Sequence, residues 1–98
     1  VGRIVCKVSH SGRRPILFLD RQRYPGTPRG WTDILVEGEL YQANFVSVAV
    51  NVARRPGETR NILPGLLRGL FGENAGLPGT NHRVLMEPSD GALRLAPL

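Results

Sequence analysis

The chain has 98 residues, of which 41% are hydrophobic and 21% charged, with a net charge of +5 and a single cysteine. That length and composition support one modest core and exclude both two full domains and a disordered tail. A lone cysteine excludes an internal disulfide, and the lack of any run of about 18 apolar residues excludes a membrane-spanning helix.

Valine stands in first position, as expected of a processed chain or a domain excised from a larger protein. No charged segment leads into an apolar one, so no signal peptide is expected and the cytoplasm is the expected compartment.

Arg3–His10 alternates, with Ile4, Cys6, Val8 and His10 on one face and Arg3, Val5, Lys7 and Ser9 on the other, which is the period of a strand. Ser11-Gly12 marks a turn, and the apolar run within Pro15–Asp20 predicts a returning strand. The tip of that hairpin displays Arg13 and Arg14. Pro25, Gly26, Pro28 and Gly30 make Arg21–Gly30 a loop, because proline interrupts both a helix and a central strand. The loop carries Arg21, Arg23, Tyr24 and Arg29, and Trp31 follows it.

Trp31–Val36 reads as a strand, and Glu37-Gly38 as a tight hairpin turn. Between Leu40 and Arg54, Val46, Val48, Val50 and Val52 fall at strict period 2, with Phe45 and Ala49 on the opposite face. This predicts one long central strand, a helix over Asn44–Val52 being the alternative. Asn61 is placed to cap a helix, Pro64 falls in its first turn, and Ile62, Leu63, Leu66, Leu67, Leu70 and Phe71 form its apolar stripe. Gly65 and Gly69 each cost about 1 kcal/mol relative to alanine, so this helix depends on packing. Gly72 ends it. After a Gly/Pro-rich connection over Gly72–Thr80, His82–Met86 and Ala92–Leu95 read as two short strands around a Ser89-Asp90-Gly91 turn. The fold class that follows is mainly β (α+β): a small open barrel or pseudobarrel of about six strands, with one helix over an opening, residues 1–98 forming a single domain.

The charge is unevenly placed. In the first thirty residues Arg3, Lys7, Arg13, Arg14, Arg21, Arg23 and Arg29 face only Asp20, and the rest of the chain is near balance. All the bases but Lys7 are arginines, whose planar fork matches phosphate and the guanine edge. A local arginine excess favours a polyanionic partner, nucleic acid first. GC-rich coding also produces arginine, and a charged loop is ordinarily just solvated. Interruption by Pro and Gly argues against an amphipathic membrane-binding helix.

Catalytic chemistry is not legible. Cys6 and His10 lie about 13 Å apart along a strand, too far for a nucleophile–base pair, and Cys6 reads as an inert core residue. Two histidines without CxxC, HxxxH or HxxE spacing give no metal site. No acid precedes Lys7, the only lysine, so an acid…acid-x-Lys nuclease centre cannot be built. Gly72–Gly79 departs from phosphate-loop spacing and follows a helix instead of opening one. No catalytic residue, metal or cofactor is expected. A lone Trp in a small domain is most often core, but Trp31 beside Arg29 and Gly30 is also placed to stack on a base.

The element order, with an arginine-rich arm projecting from the first strands, resembles the pseudobarrel DNA-recognition domains of plant transcription factors and the effector domains of certain restriction endonucleases. Phe45–Arg54, Asn61–Gly72 and Leu77–Val84 resemble accessory domains of bacterial restriction-type proteins. The resemblance covers most of the chain in outline and no catalytic residue. It implies double-stranded DNA binding through arms that enter the major groove. The positions that match are Ser9, His10, Ser11, Arg13 and Arg14, then Arg21, Arg23 and Arg29; Trp31 completes the candidate nucleic-acid-binding set. A second arm is matched only by Arg54, Arg55 and Arg60. Two functions are therefore expected to compete. One is a DNA-binding specificity or effector module of a restriction-type protein. The other is a protein-interaction or scaffolding domain, whose arginines meet acidic surface or pair with Asp33, Glu37 and Glu39, and whose Leu-rich helix packs on another domain of the parent protein.

Overall fold

The computed structural model describes residues 2–98. Alternation decides its walls. In β1 (Ile4–Ser11) Ile4, Cys6 and Val8 point inward, and in β2 (Arg14–Phe18) Pro15 and Leu17 do so. The two pair antiparallel from Lys7↔Phe18 to Ser11↔Arg14, so the hairpin forms as the sequence predicts. β3 (Gly30–Val36) and β4 (Glu39–Phe45) are joined at Glu37-Gly38, where both φ angles are positive, 51° and 81°. A type I′ turn requires that sign at both positions, and glycine supplies one at no steric cost.

The long central strand is not formed. The chain reverses at Val46–Val48, and β5 (Ala49–Arg54) returns antiparallel along β4. Val46 and Val48 lie exposed at the turn while Phe45, Ala49 and Val50 point inward. The turn contains no Gly, Pro, Asn or Asp, so local sequence does not mark it. The Val46 amide donates to the Ala49 carbonyl at 2.9 Å and the Leu19 amide to that of Val48 at 2.8 Å, and the side-chain support is distant. Arg21 Nε donates to the Ser47 carbonyl at 2.7 Å and Nη2 donates to that of Val46 at 2.8 Å. The strand count is accordingly seven.

α1 (Leu63–Phe71) ends at Gly72. Asn61 serves its start from one position outside the cap residue Ile62, its Oδ1 accepting the Leu63 and Ala53 amides, each at 3.1 Å. β6 (Arg83–Ser89) and β7 (Ala92–Pro97) form the last hairpin. The strands close a barrel in the order β1-β2-β5-β4-β3-β7-β6. β1 pairs with β6 to close it, and β3–β7 is the one parallel pair among the described strands.

α1 packs on β2, β5 and β7, which are not all neighbours, so it crosses an opening of the barrel. Leu63 and Leu67 are fully buried there, joining a core that includes Phe45, Ile34, Met86 and Cys6. Ile62, Leu66, Leu70 and Phe71 are partly buried and pack against the same core, so the apolar stripe of the helix faces the barrel. No helix is long and apolar enough to cross a membrane.

Candidate nucleic-acid interface

The residues singled out in the sequence fall into three places. The first is the outer face of β1 and its neighbours. Outward positions on β1 are Val5, Lys7, Ser9 and Ser11; Arg14 lies opposite Ser11 on β2, and Arg83 lies opposite Lys7 on β6. Arg13 stands at the hairpin tip, where Arg68 of α1 donates to its carbonyl at 3.1 Å. Arg23 reaches the other end of the face and shares a groove with Lys7 and Arg83. Four residues along β1 separate the two ends, about 13 Å. Six cations thus follow one strand: Arg13, Arg14 and Arg68 at one end, Lys7, Arg23 and Arg83 at the other. The ion pairs among the described residues are Arg3–Glu87, Arg94–Glu87 and Arg55–Glu39, and none involves these six. Asp20 lines the groove, and its carboxylate accepts the Arg23 backbone amide at 3.1 Å.

Arg68 and Arg83 are not among the residues the sequence singles out, and Lys7 enters there only as part of the charge excess. Lys7 was legible, since alternation sets it on the outer face beside Ser9. Arg83 stands 76 residues further on, and only barrel closure brings it opposite Lys7.

The second place is internal. Besides its bonds to the β4–β5 turn, Arg21 donates to the carbonyls of Thr27 and Pro28, both at 2.8 Å. Its fork joins the Arg21–Gly30 loop to that turn. His10 is also committed within the fold: Nε2 donates to the Ala75 carbonyl at 2.8 Å. His82 stacks on Phe71 with ring centroids 4.7 Å apart, and its Nδ1 lies 3.4 Å from the Gly76 amide. The two histidines fasten the Gly72–Thr80 connection over the end of β1. Gly76 lies so close that a Cβ there would stand 2.5 Å from the Ser9 carbonyl oxygen.

The third place is the opposite wall. Trp31 is not core: it is 45% exposed on the outer face of β3, with the Arg54 guanidinium carbon 3.8 Å from its ring centroid. Arg54 is further held by Gln42, Nε to Oε1 at 3.1 Å. Arg29 is exposed just before β3. In the strand order β3, which carries Trp31, lies at least three strands from β1 by either route, so Trp31 does not share a surface with Lys7, while Arg54, at the end of β5, leans onto the Trp31 ring. Arg55 is neutralised by Glu39, whose carboxyl is held below the usual range by the Tyr41 hydroxyl and then by Arg55. Tyr41 is raised in turn, first by that hydrogen bond.

Among the described residues no three of His, Cys, Asp or Glu converge on a metal-sized site. Cys6 is buried, and desolvation pushes its thiol up to about 12, so it carries no nucleophile at neutral pH. Comparison with protein-family models, curated proteins and solved structures finds no match.

Proposed function

We propose that this protein is a DNA-binding module that lays the outer face of β2-β1-β6 along a duplex backbone. It would act as the specificity or effector part of a larger, restriction-type protein and perform no catalysis itself. The observation that carries this reading is the row of six cations along β1, none of them in an ion pair among the described residues, with Asp20 as the one acid beside its groove. Protein surfaces ordinarily intersperse the two signs, and an unbalanced stripe is the electrostatic footprint of a polyanion site. Arg13 and Arg14 at a hairpin tip are free to enter a groove and fork onto guanine, while Lys7, Arg68 and Arg83 contact phosphates.

On a random duplex, where no base is read, all six cations meet phosphates, which implies a slope of about −5 in log affinity against log salt. The test is fluorescence anisotropy with a random duplex between about 50 and 200 mM salt. The double variant R13A/R14A should bind more weakly and reduce the slope by about 2. An unchanged slope removes the hairpin tip from the interface.

A second reading rests on the far wall, where Trp31 and Leu40, each 45% exposed, offer apolar surface to another domain of a parent protein. A protein that fails to bind duplex even at about 50 mM salt leaves this reading standing.

A further inference from the structure

The groove at the lower end of β1 differs in kind from the hairpin tip. It has a volume of roughly 270 Å³ and combines cations with rings: Lys7, Arg83 and Arg23 beside Phe18 and Tyr24, with Asp20 at its edge. Phe18, Lys7 and Arg83 stand in one row across three strands, since Lys7 pairs with Phe18 on one side and Arg83 on the other. Neighbours in such a row are about 4.8 Å apart. Lys7 and Arg83 are like charges directly opposite each other, an arrangement that opposes folding. Phe18 leaves 49% of its surface in solvent, and the Arg23 guanidinium carbon lies 5.9 Å from the Tyr24 ring centroid. The fold itself gains nothing from juxtaposed cations beside an exposed phenyl ring. A ligand that is both an anion and a planar ring uses all of them.

We propose that this groove binds one unpaired nucleotide, its phosphate on Lys7, Arg83 and Arg23 and its base on Phe18. Stacking faces are hidden within a duplex, so the nucleotide belongs to a strand end, a gap or a mispaired position. The inference rests on the DNA-binding reading for its ligand class, and its test is separable from that reading.

The probes are the four 5′-deoxynucleoside monophosphates, the free deoxynucleosides and inorganic phosphate, titrated into the ¹⁵N-labelled protein. Amide shifts are expected at Lys7, Phe18 and Arg83, with monophosphates binding more tightly than phosphate or nucleoside alone. K7Q/R83Q removes a repelling pair, so it folds, and it should weaken the monophosphates about tenfold or more. Phe18→Ser should erase the advantage of monophosphate over phosphate. Shifts elsewhere, or equal binding of phosphate and monophosphate, overturn the proposal. Duplex affinity measured in parallel separates the two failures: a protein that binds duplex while monophosphates leave the groove unmoved keeps its DNA-binding function and loses this site.

Discussion

Arg21 makes four hydrogen bonds to main-chain carbonyls, two in its own loop and two in the β4–β5 turn some 25 residues away. A charged donor bonded to several carbonyls contributes more than a neutral one, and the fork geometry is what lets one side chain reach all four. Arg21→Ala should cost roughly 3 kcal/mol, read as a fall in the urea midpoint, and should raise hydrogen exchange at Val46–Ala49 first. Arg21→Lys should rescue little, because an ammonium is a point charge. Cys6 makes a different prediction. Its thiol ionises near 9 in the unfolded chain and at about 12 in the barrel, so between those values the folded state binds the extra proton and stability falls as pH rises. The loss is at most about 1.4 kcal/mol per pH unit above 9 and absent below it. Cys6→Ala should be flatter than the parent over that range in pH-dependent denaturation, and thiol reagents at pH 7 should leave the folded parent unmodified.

At the scale of elements, what was legible is what local chemistry decides. Glu37-Gly38 and Asp90-Gly91 both take positive φ and both turn the chain where their residues require it. Inward alternation in β1 and the apolar stripe of α1 were equally plain. The β4–β5 turn was not, because its side-chain support comes from Arg21, and unbroken valine alternation runs straight through it. The core alternative for Trp31 fails for a related reason: its ring rests under Arg54, brought there by β3–β4–β5 pairing that no local pattern records. In α1 the two interior glycines have open space where a Cβ would go. Gly69→Ala should therefore stabilise the protein by about 1 kcal/mol through helix propensity alone, measured as a raised thermal midpoint with an unchanged HSQC pattern outside the helix.

For the whole molecule, the barrel decides which residues act together. The nine candidates from the sequence do not form one surface: Ser9, Ser11, Arg13, Arg14 and Arg23 line the β1 side, Arg21 and His10 are committed to holding loops, and Arg29 and Trp31 lie on the far side. Closure through β1–β6 adds Arg83 to the first group, an addition that depends on topology and not on spacing. Trp31→Ala should then leave duplex affinity within about twofold of the parent, since it removes no cation from the β1 face and lies beyond reach of the same backbone. A large loss would mean that DNA meets the opposite wall.

Arg21 grips the β4–β5 turn by carbonyl oxygens alone, and every amino acid carries one. The Val46 amide also donates to the Ala49 carbonyl at 2.9 Å, so apart from proline at residue 46 the side chains at 46–48 are uncoupled from the shape of the tip, and substitutions there should change what the tip displays without changing how it is held. Such a position is a natural site for grafting or randomising short sequences on this scaffold, with Val46, Ser47 and Val48 as interchangeable cargo on a fixed mount.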